Sequence, residues 1–197
     1  MAHIMPVMST SDPFTVRGPA RVGPVTEPDA DQLERLAKAP RTADGTPIGL
    51  FATLAHRPRL MARANALGGA LMFDSTIPER ERELVIVRAA ARARCAYELS
   101  QHRRIGIDAG LTEAQVDAAI AFDDEHPWSA ADRALLTLAD EVSADADVSD
   151  ATWAALDGIF DPVQRLELVL VVGFYRMLAG FLNGARVQLD GAAQFAS

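Results

Sequence analysis

The stretch Glu83–His102, ELVIVRAAARARCAYELSQH, decides the fold. Its apolar first half continues a helix that we expect to run from Pro78 to about Arg94. Cys95, Glu98 and His102 then follow at spacings i, i+3 and i+7. On a helix these three side chains share one face, with Glu98 and His102 one turn apart. The stretch therefore predicts helix with reactive side chains grouped on one side.

Helical patterns extend outward in both directions. Upstream, we expect a short helix from Asp29 to Ala39 and a segment from Pro47 to Leu71, broken near Pro58 and interrupted at Gly68-Gly69. Downstream, start signals predict where the helices begin: Thr76 with Glu79, Thr112 with Gln115, Ser129 with Asp132, Asp150, and Pro162. No segment alternates apolar and polar residues in the manner of a strand, so the prediction is an all-α bundle.

The N-terminal segment differs from the rest. Residues 1–28 contain five prolines, which forbid a long helix. We expect an extended or flexible arm, either a disordered tail or an arm that wraps a neighbouring subunit. Residues 29–197 are expected to form a single helical domain, because 197 residues suit one domain with an arm.

A weak internal repeat is visible. The pentapeptide ELVIV at 83–87 resembles ELVLV at 167–171. In this register Cys95, Glu98 and His102 meet Ala179, Leu182 and Arg186, so the second copy lacks the reactive side chains. The repeat indicates a pseudo-repeated helix pair in which one copy carries chemistry and the other packs; two apolar helices that look alike by chance are the alternative.

Composition limits the function classes. The formal net charge is −8, which argues against a phosphate-binding face for nucleic acid. A single cysteine allows no intrachain disulfide and is typical of a reducing cytoplasm. No run of about 18 uninterrupted apolar residues appears, so we expect no membrane-spanning helix. Metal-ligand spacings and glycine-rich nucleotide loops are also missing from the sequence, and we expect neither a metal nor a cofactor.

The residues of the central stretch support acid–base chemistry. A carboxylate such as Glu98, one turn from His102, can hold the imidazole tautomer and make it a proton carrier near neutral pH. Cys95 would become a nucleophile only beside a cation or a helix N-terminus. Each residue also has a plain structural explanation: Cys95 as a small buried residue, Glu98 with His102 as an exposed pair, and Glu83 as an ion-paired carboxylate.

These residues resemble the signature of the carboxymuconolactone decarboxylase and alkylhydroperoxidase D superfamily, E-x11-C-x2-C-x3-H. Glu83, Cys95 and His102 match it, and Glu98 stands where the second cysteine would be. A variant, C-x-Y-E-W-x-x-H, is similar to that of decarboxylase-like members; Tyr97 also matches it and Leu99 replaces the tryptophan. Segments near 65–78 and 173–185 resemble the family too, so the resemblance spans roughly residues 30–190.

The resemblance implies an AhpD-like helical bundle and a cofactor-independent lyase acting on a small carboxylated lactone or related acid. His102, Glu98, Glu83 and Cys95 would be the catalytic residues, and the substrate-binding residues would be Arg88, Tyr97 and Arg94. A paired-cysteine peroxidase needs a second cysteine to resolve the oxidised thiol, so peroxiredoxin-like activity at Cys95 would require an external thiol. A non-catalytic small-molecule binder is a third possibility. The family also implies a homo-oligomer, a trimer or hexamer.

Overall fold

The computed structural model describes residues 14–190, and within this range the regular structure is entirely helical apart from one isolated bridge between Arg41 and Pro47. The prediction of an all-α fold is therefore confirmed. The helices are α1 (Ala30–Leu36), α2 (Gly49–Leu54), α3 (Pro58–Phe73), α4 (Glu79–Arg92), α5 (Ala96–Asp108), α6 (Glu113–Ala121), α7 (Ala130–Asp145), α8 (Asp150–Ala155) and α9 (Pro162–Ala185).

Helix α4 is the centre of the bundle and packs against α5, α6, α7 and α9. Its successive residues Leu84, Val85, Ile86 and Val87 are all fully buried. A helix that is apolar all round must be covered on every side, and the four surrounding helices provide that cover. The polar side chains in the middle of α4 are therefore placed inside the protein, whereas those at its two ends remain exposed.

The helix predicted to run to Arg94 ends two residues earlier, and a tight turn separates α4 from α5. The amide of Arg94 donates to Ala91 O (3.0 Å) and the amide of Cys95 donates to Ala90 O (2.9 Å). This is a Schellman motif, and Arg94 occupies its left-handed position with φ 50°. Cys95 consequently becomes the N-cap of α5. The reactive residues thus begin a new helix that can turn back against α4.

Helix α9 packs on α4 and α7 and is continuous over 24 residues. The two copies of the predicted repeat therefore differ in structure. A turn separates α4 from α5 in the first copy, whereas α9 continues without a break in the second. By length and composition α9 could cross a membrane, with a mean hydropathy of 1.6 over 18 residues. Its fully buried Leu168, Val171 and Val172 belong to the main core, as expected for the central helix of a bundle.

Two expected features of the region before α4 were wrong. Gly68 and Gly69 do not interrupt α3, which continues to Phe73. A Cβ atom on Gly68 would lie 3.0 Å from the ring of Phe174, so the glycine permits close approach to α9. Thr76 does not cap α4 either: the N-cap is Pro78, and the Thr76 amide and hydroxyl both donate to Glu167 on α9.

The other helix-start signals are confirmed. Thr112 and Gln115 form a capping box before α6, and the Ser129 hydroxyl accepts from the Asp132 amide at the start of α7. Pro162 is the first residue of α9, which Asp161 caps. Helix α8 begins at Asp150 and is capped by Ser149. Local capping chemistry is therefore sufficient to set these four boundaries.

Residues 14–28 are the part of the predicted arm that the structure describes. They are not helical, and they contact the helical part of their own chain. The amides of Arg21 and Val22 donate to Ala185 O at the end of α9, and the amide of Val25 donates to Ala52 O. This segment therefore runs past the C-terminal end of α9 towards α2. The remainder of the predicted arm, residues 1–13, lies outside the described residues.

The central packing generates a prediction for stability. Leu168→Ala removes a fully buried side chain where α9 is packed into the main core. We expect the free energy of unfolding to fall by about 2–5 kcal/mol, because the cavity adds to the lost transfer energy. Leu33→Ala, at an exposed leucine of α1, is the control and should change it by no more than about 0.5 kcal/mol. Urea denaturation at one fixed protein concentration measures both, and equal effects would contradict this account.

Candidate functional site

A buried hydrogen bond between α4 and α5 forms the centre of the candidate site. Glu83, on α4, is fully buried, and its Oε2 lies 2.7 Å from Nδ1 of His102 on α5. Because a carboxylate oxygen can only accept, Nδ1 is assigned the hydrogen of this bond. The other ring nitrogen, Nε2, is then the one able to exchange a proton. The partner that orients His102 is thus Glu83, nineteen residues away, and the predicted pairing with Glu98 is not found.

Glu98 has a different environment. It is 2% exposed, and neither carboxyl oxygen has a hydrogen-bond partner in good geometry. Burial raises the pKa of Glu98 well above its ordinary value, and the nearby Cys95 thiol offsets this only in part. A buried carboxylate without partners is costly, so the environment favours the neutral acid. The two carboxyl groups of the site therefore differ: Glu83 accepts a hydrogen bond from His102, whereas Glu98 is buried without a hydrogen bond of good geometry.

Cys95 is fully buried beside Glu98. Burial raises the pKa of the thiol to about 12, and the Glu98 carboxyl adds to the rise. The backbone amides of Glu98 and Tyr97, at the start of α5, lower the pKa but do not overcome burial. The helix N-terminus that could have activated this thiol is thus outweighed by desolvation.

Two residues that the sequence did not single out complete the site. The imidazole of His102 packs edge-on against the ring of Tyr175, with centroids 4.8 Å apart. Arg82 is buried, and its Nε lies 3.8 Å from Oε1 of Glu83. In the sequence, the one sign that Arg82 belongs to the site is its position next to Glu83. Among residues 14–190, no group of three or more His, Cys, Asp or Glu side chains could hold a metal ion.

Arg88, predicted to anchor substrate, is committed to a structural role. Its Nε and Nη2 each lie 2.7 Å from an oxygen of Asp140, and its Nη1 donates to Ala119 O. The guanidinium also stacks 3.9 Å above the ring of Phe122. These contacts occupy the group and tie α4 to α6 and α7. Arg88 is therefore not carried forward as a substrate ligand.

The remaining predicted binding residues, Tyr97 and Arg94, lie beside the site rather than in it. The Tyr97 hydroxyl donates to Asp190 and accepts from the Leu50 amide. Burial raises the pKa of Tyr97, and the bond to Asp190 adds to the rise. Arg94 is exposed in the turn before α5. Both residues line a cavity bounded by the N-terminal segment and the end of α9.

A comparison with protein families identifies a related family. Residues 58–141 match the carboxymuconolactone decarboxylase family model. The match includes α3 to α7 and every residue of the Glu83–His102 stretch, so the resemblance found in the sequence is confirmed. No match to a curated protein reached significance.

Solved structures similar to this chain include peroxidase-related proteins and a debrominase. The AhpD core of an uncharacterized peroxidase-related protein from Ralstonia eutropha JMP134 has 23% identity and a TM-score of 0.73, covering 86% of this chain and 93% of that one. The apo debrominase Bmp8 has 20% identity and a TM-score of 0.71, covering 87% and 93%. A peroxidase-related protein from Silicibacter sp. TM1040 has 18% identity and a TM-score of 0.68, covering 85% and 96%. These similarities establish an AhpD-like fold.

The raised pKa of Glu98 predicts a pH-dependent cost to stability. The unfolded chain releases this proton near the ordinary value of 4.5, whereas the folded protein keeps it to higher pH. The folded state binds more protons in that window, so stability falls as pH rises through it. Glu98→Gln removes the charge, and we expect the variant to gain stability over the wild type progressively as pH increases above 4.5.

Urea denaturation of both proteins across pH 4–9 measures this difference, and Glu79→Gln, at an exposed position of α4, is the matched control. A stability difference between the Glu98 variant and the wild type that does not change with pH would show that the carboxyl group is not held in its acid form by burial.

Proposed function

We propose that this protein is a cofactor-independent acid–base enzyme that acts on a small carboxylated lactone or a related organic acid. The observation that carries the proposal is the contrast between two buried carboxyl groups around one histidine. Glu83 is held against His102 Nδ1, while burial raises the pKa of Glu98 and so favours its neutral acid form. Groups whose environments separate their pKa values are the usual basis for assigning acid and base roles.

The proposed reaction needs only these groups. The carbon–carbon bond to the substrate carboxylate breaks, CO2 leaves, and the electron pair passes into the conjugated lactone to form an enolate. The imidazolium form of His102, stabilised by Glu83, delivers the proton on Nε2 to the enolate carbon, and the imidazole that remains takes up a proton from water when the site opens. Glu98, as a neutral acid, donates a hydrogen bond to the developing oxyanion. Charge therefore moves through the site without a bound cofactor.

Substrate binding requires a cation near these groups. Arg82 is the buried guanidinium beside Glu83, and we assign it the anchoring role first given to Arg88. No catalytic residue is more than 8% exposed, so substrate entry requires local opening between α4, α5 and α9. The closed state would exclude water and strengthen electrostatic interactions during the reaction.

The state of Cys95 argues against thiol chemistry as the main activity. Peroxide reduction starts from a thiolate, and the pKa of about 12 leaves almost none at neutral pH. The same limit applies to thiol-dependent dehalogenation; a Cys→Ala variant of the debrominase Bmp8 has been solved with 2,3,4-tribromopyrrole. In this chain Cys95 is better suited to lining the site beside Glu98.

Two variants separate the roles of His102 and Cys95. With carboxylated lactones as the screened substrates, His102→Gln should lower kcat/KM by about 100-fold or more, because the proton carrier is lost. Cys95→Ala should retain most of the activity, because it removes a lining group only. Steady-state kinetics at neutral pH measures both, and a fully active His102→Gln enzyme would overturn the acid–base proposal.

The same proteins distinguish the peroxidase alternative. Intact-mass analysis after brief exposure to stoichiometric organic hydroperoxide reports the oxidation rate of Cys95. We expect oxidation no faster than that of free cysteine, because the thiol is protonated. Fast, selective formation of sulfenic acid would instead assign the activity to Cys95 and an external thiol.

We also propose that the working protein is a homo-oligomer. One face of α9 leaves Leu166, Leu170 and Met177 more than half exposed, with the exposed Gly173 between them. These residues recur at i, i+4, i+7 and i+11, so they form one stripe. An exposed apolar stripe on α9 is typical of a surface that a second copy covers.

Light scattering measures the assembly directly. We expect a mass that is a multiple of the 21.1 kDa chain. Leu170→Glu should lower that mass, because a buried charge without a partner opposes association. Leu33→Glu, at an exposed leucine of α1, should leave it unchanged. A monomeric wild-type protein would disprove the proposal.

A further inference from the structure

A cavity of about 390 Å³ lies between the N-terminal segment, the turn joining α4 to α5, and the C-terminal end of α9. None of the proposed catalytic side chains lines it; its nearest connection to the site is Tyr97, two residues from Cys95. This volume is in the range of small-molecule pockets. The cavity is therefore separate from the Glu83–His102 pair.

The charged side chains around the cavity are all positive. Four arginines line it, Arg17, Arg21, Arg94 and Arg186, and the lining includes no carboxylate. The whole chain has 19 basic residues against 27 acidic ones, so such a cluster runs against the overall balance. None of the four forms an ion pair with a described carboxylate, although other arginines of the chain do. Within residues 14–190, no carboxylate therefore balances these four charges at salt-bridge distance.

The backbone at two of these arginines is unusual in the same way. Arg94 and Arg186 both adopt left-handed conformations, with φ 50° and 54°. Each occupies the position after a helix where glycine is usual, since a side chain there costs roughly 1 kcal/mol. Two arginines at two such positions, on two different helices, converge on one cavity. Phe122 and Ala146 adopt the same conformation after α6 and α7, so the conformation itself is a common helix ending here, and what distinguishes the two arginines is that both face one cavity.

The end of α9 accounts for only part of this positive charge. Arg21 Nη1 donates to Gly184 O (3.2 Å), so one guanidinium offsets the partial negative charge of the helix terminus. A helix end is equivalent to about half a charge, far less than four guanidinium groups supply. Guanidinium groups match carboxylate and phosphate oxygens in pairs, and several around one cavity suit a ligand with more than one anionic group.

We propose that this cavity binds a small molecule carrying at least two carboxylate or phosphate groups. The proposal does not depend on the acid–base activity, because no lining residue belongs to the catalytic group. Since Arg17 and Arg21 come from the N-terminal segment, binding would also fasten that segment to the α4–α5 turn and to α9. The occupied cavity would thus hold Tyr97 and the start of α5 in place.

Isothermal titration calorimetry of the full chain tests the proposal, with citrate and pyrophosphate as separate probes at constant ionic strength. We expect saturable one-site binding of at least one probe. Arg94→Gln and Arg17→Gln should each weaken it about tenfold, as expected for the loss of one charge-assisted contact. Arg63→Gln, at an exposed arginine of α3 away from the cavity, is the control and should bind as the wild type does.

The two probes identify the chemistry: preference for citrate would assign carboxylates, and preference for pyrophosphate would assign phosphates. Arg94→Lys, which keeps the charge but not the paired donors, should fall between the wild type and Arg94→Gln. Circular dichroism verifies that each variant is folded. The proposal fails if neither probe binds, or if Arg94→Gln and Arg17→Gln bind as tightly as Arg63→Gln.

Discussion

The hydrogen bond between Glu83 and His102 constrains the whole arrangement. A carboxylate with no exposed surface loses its hydration on folding, and the protein must replace it. His102 provides that replacement only because α5 turns back against α4, and the turn requires Arg94 to adopt a left-handed backbone. Three features thus depend on one another. Four neighbouring helices bury α4, the chain breaks before Cys95 so that α5 can turn back, and Glu83 orients the imidazole of His102.

The neighbouring Glu98 shows what happens without such a partner. Its carboxyl group is nearly as buried as that of Glu83, yet it has no hydrogen bond of good geometry. The protein therefore accepts the burial of Glu98 without any hydrogen-bond partner, whereas Glu83 has a partner for Oε2 and lacks one only for Oε1. Natural cores rarely retain such a group unless it has a task, which makes Glu98 the residue that best distinguishes a reactive site from simple packing.

Several features could be predicted from local sequence, and others depended on packing. The caps at Thr112, Ser129 and Pro162 are local, and they were predicted correctly. The break at Arg94 was missed because the alanine- and arginine-rich run around it contains no glycine or proline. Gly68 was taken for an interruption because its contact with Phe174, on a helix a hundred residues later, has no local signal. The partners of His102 and Arg88 were likewise hidden, since both lie on other helices.

Asp190 gives the end of the described chain a definite task. Its carboxylate accepts from the Gly49 amide at the start of α2, from the Tyr97 hydroxyl and from Gln101 Nε2 on α5. One side chain thus bridges the C-terminal segment, an early helix and the helix that holds His102. The segment after α9 is therefore a latch, and α5 acquires its final set of contacts only when that segment is in place.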